Sequence, residues 1–389
     1  MDNKLIYLDN AATSFPKPQK VIDWMVETYT RLGVSPGRGS YDLAMEAAEL
    51  VWQTRQKLAR FFGAPDPDRV IFTANATDAL NLAIQGLVAP GDHVVATRLE
   101  HNSVLRPLFH LAQQSGIKYD LVGFNEYGHI EPGEVAKTIR PNTRLVICSH
   151  ASNVLGTVQP VSDIARVCAE RGVPLLIDTA QSAGHVPVDM GKWNVSAVAF
   201  TGHKALLGPS GIGGLVLSPQ LEIKSTRFGG TGIDSRNLMH TQTFPDRLEA
   251  GTLNLLGVFG LSAGLDYLVN ESLERGHQKE MAMIKRLYAG LSSISRVVIH
   301  SPMPAEHDVP VLTCTVRGLA AEDVGAILDG DYGIAVRTGL HCAPLVHADL
   351  GTDTNGAVRF SPGRFNTNED IDRALEAMEA IGKMHPNLI

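Results

Sequence analysis

Hydrophobic and polar positions along this chain change rhythm near residue 257. From about residue 50 to 220, short apolar runs alternate with longer amphipathic stretches. The runs at 70–72, 94–97, 119–123, 145–149, 174–178, 195–200 and 214–217 predict strands. Between them, 79–88, 103–114, 131–139 and 161–170 carry the spacing of helices. Strands that are almost continuously apolar and separated by helices imply a mostly parallel sheet covered on both faces, an α/β fold. Beyond residue 257 two helical stretches, 258–269 and 274–291, lead into short strands around 296–300, 309–316, 333–336 and 357–360. A last helix opens at Thr367 with Asp370 three residues on, a capping-box-like start, and Ile371, Leu375, Met378 and Ile381 share one face. This half predicts a smaller α+β domain. The expected division is a large domain over 15–258 and a small C-terminal domain over 259–389, with 1–14 packed beside it.

Composition narrows the class of protein. A chain of 389 residues accommodates two domains, and 44% hydrophobic residues is ordinary for a globular protein. The formal charge of −7 is spread along the chain with no basic run, so neither nucleic acid nor a membrane surface is an expected partner. No apolar stretch reaches the length of a membrane span, and residues 1–10 lack the basic start and apolar centre of a signal peptide. A cytoplasmic location is the expectation. The four cysteines form no C-x-x-C pair and no zinc-like spacing, so no metal site is expected. Cys148, Cys168 and Cys314 fall in strand or helix patterns and read as small core residues. Cys342 differs: its neighbours include Gly, Pro and Asp between two predicted strands, the composition of a mobile loop.

Candidate chemistry collects just after the strands. The run at 70–72 leads into Ala76 and Thr77, and 94–97 into Glu100, His101 and Asn102. The run at 145–149 leads into His150 and Asn153, 174–178 ends on Asp178 before Gln181, and 195–200 leads into Thr201, His203 and Lys204. Open parallel sheets bind ligands outside the carboxyl ends of their strands, so five strands deliver polar groups to one rim. A lysine at one strand end and an aspartate at another is the minimum set for pyridoxal phosphate (PLP). The amine condenses with the aldehyde, and the carboxylate keeps the pyridine nitrogen protonated so that the ring accepts electrons. A carboxylate ending an apolar strand favours such a cationic partner. Ala76 and Thr77 open a helix whose backbone N–H groups suit a phosphate. His101 is placed to stack on the ring, Gln181 to reach its hydroxyl oxygen, and Thr201 and His203 to add phosphate contacts.

Taken together, Thr-Gly-His-Lys at 201–204, Asp178 with Gln181, Glu-His-Asn at 100–102 and Ser-Asn-Val-Leu-Gly at 152–156 resemble the class V aminotransferase family of fold-type I PLP enzymes. The segment Arg-Thr-Gly-Leu-His-Cys-Ala at 337–343 resembles its cysteine desulfurase and selenocysteine lyase branch. The resemblance runs from Tyr7 to Thr367. It implies a homodimeric cysteine desulfurase that converts L-cysteine to L-alanine and passes sulfur from a persulfide on Cys342 to an acceptor protein or small thiol. It makes Lys204 the cofactor-bound lysine, His101 the stacking base and Asp178 the partner of the pyridine nitrogen. Gln181 falls at the ring-hydroxyl position, and Ala76, Thr77, Thr201 and His203 at phosphate positions, with Thr252 reaching the neighbouring subunit's phosphate. Asn153 and Arg359 match positions that hold the substrate carboxylate, for which a planar guanidinium is suited. Arg337 or His341 would favour the Cys342 thiolate electrostatically. Two departures stand out: Ser40 occupies a place where desulfurases commonly carry a histidine, and Pro-Leu-Val-His at 344–347 resembles a less characterised subgroup. Selenocysteine lyase, class V aminotransferase and a non-catalytic scaffold are the competing readings. A scaffold has no need of Lys204, Asp178 and His101 together.

Overall fold

The computed structural model describes residues 5–36, 39–233 and 236–384. Its centre is a seven-stranded sheet in the order Val70–Thr73, Gly213–Leu217, Ala197–Thr201, Leu175–Asp178, Thr143–Ser149, His93–Thr97, Lys118–Val122. Gly213–Leu217 runs antiparallel to both neighbours, and the other pairings are parallel. Side chains alternate across the sheet, as a two-residue period requires. Val95, Val146, Ile177, Val198, Phe200 and Val216 enter one core, with helix Val161–Glu170 and Phe259. Val94, Leu145, Leu176, Ala199 and Leu215 enter the other, against helices Ala76–Leu87 and Asn102–Ser115. The α/β architecture expected from the strand–helix rhythm is therefore present.

Register brings the polar strand ends to one level. Asp178 is the Cα partner of Ser149 on one side and Ala199 on the other. Gly213 explains how the antiparallel strand fits. A Cβ there would lie 2.6 Å from the Phe200 carbonyl oxygen and 2.7 Å from the Asn75 Cα, so only glycine lets the turn before Ala76 close onto the sheet.

The C-terminal part carries a four-stranded antiparallel sheet, ordered Arg337–Gly339, Ala357–Phe360, Leu312–Val316, Val297–Ile299. Helices Leu273–Ser292, Ala321–Tyr332 and Asn368–Lys383 pack their apolar faces on it through Ile284, Leu287, Val324, Leu328, Ile371 and Met378. The last helix has its capping box: Thr367 accepts from the Asp370 N–H at 3.2 Å, and Asp370 from the Thr367 N–H at 2.9 Å. Near the N-terminus, Ile6–Tyr7 pairs in parallel with Ile334–Ala335. The expected division at 258 falls inside helix Leu255–Asn270, whose Val258, Phe259, Leu261 and Leu265 join the large core. We propose the turn between Asn270 and Leu273 as the division instead.

Two buried ion networks stitch this frame. Arg55 and Glu249 pair through two bonds of 2.7 and 2.8 Å, and Glu249 also accepts from the Phe72 N–H at 2.6 Å. This fixes the segment that precedes Thr252. Glu280, 1% exposed, joins His185 at 2.9 Å and Arg364 at 4.0 Å across the two parts of the chain. Among the described residues His185, Glu280 and His277 are the one trio of ligand-type side chains close together, and Arg364 already sets a positive charge beside its carboxylate. No described helix is long and apolar enough to cross a membrane.

Candidate active site

Beyond the carboxyl ends of the parallel strands lies a cleft of about 350 Å³. It is lined by Ala76, Thr77, His101, Asn153, Asp178, Gln181, Thr201, His203, Lys204, Arg337, His341, Cys342 and Arg359. Twelve strand-end and C-terminal positions singled out in the sequence thus meet one of the small domain's strands, Ala357–Phe360, which carries Arg359. Thr252 does not join them. It is exposed and borders a separate depression with Ser35, Pro36, Arg55 and Glu249.

One end of the cleft is arranged for an anion. Asn75 caps helix Ala76–Leu87 by accepting from the Asp78 N–H at 2.9 Å, which turns the first helical N–H groups toward the cleft. Opposite them, Thr201 Oγ1 and His203 Nδ1 are buried with no hydrogen-bond partner. Buried polar atoms are normally partnered, so this pair marks where a ligand's oxygens belong. Burial, followed by the charges of Lys204 and Lys17, holds His203 down at about 4. Its carbonyl is clasped by Thr13 Oγ1 at 3.0 Å and the Ser14 N–H at 3.2 Å, which steadies the lysine turn from the N-terminal segment.

At the middle of the cleft, burial acts on both members of a charge pair. It pulls the Lys204 amine down to about 8, against the Asp178 charge that pushes it back up. It raises the Asp178 carboxyl, against a 2.9 Å hydrogen bond from the Ala180 N–H and the Lys204 charge. An aspartate in that setting calls for a protonated partner, and the pyridine nitrogen of PLP is one. His101 caps helix Asn102–Ser115: its Nδ1 accepts from the Ser103 N–H at 3.0 Å, so the ring proton sits on Nε2. Burial, then Lys204, Arg106 and Arg359, keeps that ring neutral, at about 4. Gln181 Nε2 donates to the Ala11 carbonyl at 3.0 Å, leaving its second N–H for a ligand. The orphaned donors, the acidic partner and the lysine together fit PLP.

At the far end, Arg359 is 3% exposed. Its Nη2 pairs with Asp9 at 2.9 Å, its Nη1 donates to the Asn153 carbonyl at 3.1 Å, and its Nε has no partner. Cys342 is the one exposed cysteine of the four; Cys148, Cys168 and Cys314 are buried, with the latter two thiols pushed up to about 12 by burial. Two expectations change here. The stretch expected as loop between two strands contains a helix: His341 (φ 49°) and Cys342 (φ 58°) form a left-handed turn that runs directly into helix Pro344–Leu350. That turn is anchored by Asn153 Nδ2 on the His341 carbonyl (2.6 Å) and the Asn102 N–H on the Cys342 carbonyl (2.8 Å). Nor does His341 supply positive charge. Burial and the Arg359 charge push it down to about 2, so Arg337, Arg359 and, below about pH 8, Lys204 are the cations lining the cleft with Cys342.

Sequence reasoning named Glu100 at a strand end without giving it a role, and missed Asp9. Glu100 is fully buried, accepts from Thr97 Oγ1 (2.7 Å), the Ser149 N–H (2.9 Å) and Ser149 Oγ (2.8 Å), and its carboxyl is pushed up to about 7 by burial. It ties the strand end bearing His101 to the strand beside Asp178. Ser40 is exposed, while Gly37 and Arg38 of the same segment lie outside the described residues.

A lysine, an aspartate and a capping histidine at the rim of a mostly parallel sheet define a class, and comparison with known proteins identifies it. The family model described as Aminotransferase class-V matches residues 6–374, so the chain belongs to the class V aminotransferase family. Within it, the chain is 36% identical to a protein of Methanothermobacter thermautotrophicus named probable cysteine desulfurase, covering 97% of this chain and 95% of that one. The apo structure of cysteine desulfurase from Thermococcus onnurineus NA1 superposes with a TM-score of 0.92 at 34% identity, covering 98% of this chain and 95% of that one. The cysteine desulfurase CsdA of Escherichia coli, solved in an S-sulfonic acid form, gives 0.87 at 27% identity, covering 97% and 94%.

Proposed function

We propose that this chain is a PLP-dependent cysteine desulfurase that converts L-cysteine to L-alanine and receives the sulfur on Cys342. One observation carries the reading beyond the family: the single exposed cysteine lines the same cleft as Lys204 and Asp178. A conventional aminotransferase has no use for a thiol there.

Ala76, Thr77, Thr201 and His203 would hold the phosphate, Asp178 the pyridine nitrogen, Gln181 the ring hydroxyl and His101 the ring face. When bound, the cofactor supplies an electron sink for bonds broken at the substrate α-carbon. Lys204, lowered to about 8, is partly unprotonated near neutral pH, so Nζ would hold the cofactor's aldehyde and, when free, take the substrate α-proton. Arg359 would offer its unpartnered Nε to the substrate carboxylate, with Asn153, whose carbonyl Nη1 holds, lining the same cleft. Cys342 Sγ attacks the substrate sulfur: an S–S bond forms as the Cβ–S bond breaks, and the electron pair stays with Cβ. That carbon takes a proton, the α-carbon recovers the one held by Lys204, the product leaves as alanine, and the terminal sulfur of the persulfide passes to an acceptor thiol.

Two coarser features belong to the same reading. Thr252 is exposed, away from its own cleft, and the surrounding segment displays Phe228, Leu238 and Met239, which supports a homodimer in which Thr252 serves the neighbouring site. Four free cysteines suit a reducing compartment such as the cytoplasm. The test is mass spectrometry of the Cys342 peptide after brief exposure to L-cysteine, with alanine measured in parallel. The expected result is a gain of one sulfur on that peptide and loss of alanine release in Cys342→Ala. Undiminished alanine release by Cys342→Ala would overturn the persulfide route, and activity confined to selenocysteine would make the enzyme a lyase.

A further inference from the structure

His347 lies outside the cleft and is fully buried on helix Pro344–Leu350, one turn after Cys342. A buried imidazole is costly unless both ring nitrogens have partners, and both do. Nε2 is 3.0 Å from His341 Nδ1, and Nδ1 is 2.8 Å from Thr352 Oγ1. The proton positions follow from the far end of the chain. His341 Nε2 faces the Arg337 carbonyl at 3.4 Å, and a carbonyl only accepts, so the His341 proton is on Nε2 and its Nδ1 offers a lone pair. His347 must then donate from Nε2 and accept at Nδ1 from the Thr352 hydroxyl, which lies 2.8 Å from Nδ1 and farther, at 3.4 Å, from the His347 carbonyl. Both rings are neutral, since burial pushes His341 to about 2 and His347 to about 4. The result is one directed chain: Thr352 O–H to His347, His347 N–H to His341, His341 N–H to Arg337.

Two successive non-glycine residues with positive φ persist only where their surroundings hold them. The cleft wall holds the two carbonyls of the turn, through Asn153 and Asn102. His347 holds its side chain. We propose that His347, acting through His341, is a positioning residue that keeps the Cys342 thiol presented to the substrate sulfur. This rests on the reading of Cys342 as the sulfur-accepting nucleophile. The chain touches neither Lys204 nor Asp178, so it governs sulfur transfer and leaves α-proton removal alone.

The experiment compares holoenzymes of the wild type, His347→Leu, His347→Gln and Thr352→Val on two reactions. The first is alanine and persulfide formation from L-cysteine. The second is exchange of the α-proton of L-alanine with deuterated water, which needs Lys204 but no thiol. For His347→Leu we expect kcat on L-cysteine to fall about 10- to 100-fold, the range for a misplaced reacting group, with exchange at the wild-type rate. His347→Gln restores a donor at the Nε2 position and should recover most of the loss. Thr352→Val, which keeps the shape of the side chain, should show the same split in milder form. If His347→Leu does not fold, the Thr352→Val result decides. Equal loss of both reactions would mark a merely structural role, and no loss would remove any role; either overturns the proposal. A wild type that forms no persulfide from L-cysteine brings down the functional reading, and this proposal with it. A working wild type with no split in the variants overturns this proposal alone.

Discussion

Lys204 and Asp178 show how one physical effect, burial, tunes opposite charges toward neutrality. The lysine is lowered to about 8 from 10.5, so its cation dominates below that value and the nucleophilic amine above it. Capture of PLP by the apoprotein should therefore slow as pH falls, with a midpoint near 8 and a plateau by about pH 9. Stopped-flow absorbance of holoenzyme formation across pH checks this, and a midpoint near 10.5 would mean an ordinary, solvated lysine. In Asp178→Asn the charge that raises Lys204 is gone, so the midpoint should move lower still. Single residues of this kind were legible because each directly follows an apolar strand. Glu100 was legible as a strand-end group but its role was not, because what defines that role is Ser149, 49 residues further along. Asp9 was invisible for the same reason, at a separation of 350 residues from Arg359.

At the level of elements, the pattern was most informative where burial is one-sided or complete. Helix Val161–Glu170 and strand Ala357–Phe360 have the bounds that their spacing implies. Helix Ala321–Tyr332 went unread because only Ala321, Val324 and Leu328 are buried in it, too few to mark a period. Pro344–Leu350 is seven residues, shorter than two turns, so it looked like loop. The direction of Gly213–Leu217 was equally hidden, since a buried antiparallel strand is as apolar as a parallel one. Its glycine start carries consequences for the site. Gly213→Ala drives a methyl to within 2.6 Å of the Phe200 carbonyl and against Asn75, the cap of the phosphate-facing helix. Destabilisation of about 1–3 kcal/mol is expected from such overpacking. Urea unfolding of the apoprotein measures it, and PLP affinity should fall as well; an unchanged midpoint would mean the strand shifts freely to make room.

Across the whole molecule, one question is whether a single chain contains a complete site. The cleft gathers every residue assigned to it except Thr252, which the Arg55–Glu249 pair holds on a different face. Complementation separates the two arrangements. Lys204→Ala removes the cofactor anchor, and Thr252→Asp sets a carboxylate where a phosphate is expected; being exposed, that position should tolerate the change within about 0.5 kcal/mol. Each variant alone should release little alanine. Unfolded together and refolded as a mixture, they should form heterodimers in which one site draws Lys204 from one chain and Thr252 from the other. Random pairing makes about half the dimers mixed and restores one of their two sites, so about a quarter of wild-type activity should return. If Thr252 served its own chain, every site in the mixture would carry one lesion or the other, and no activity would return. Recovery near a quarter would therefore make the dimer, not the chain, the catalytic unit.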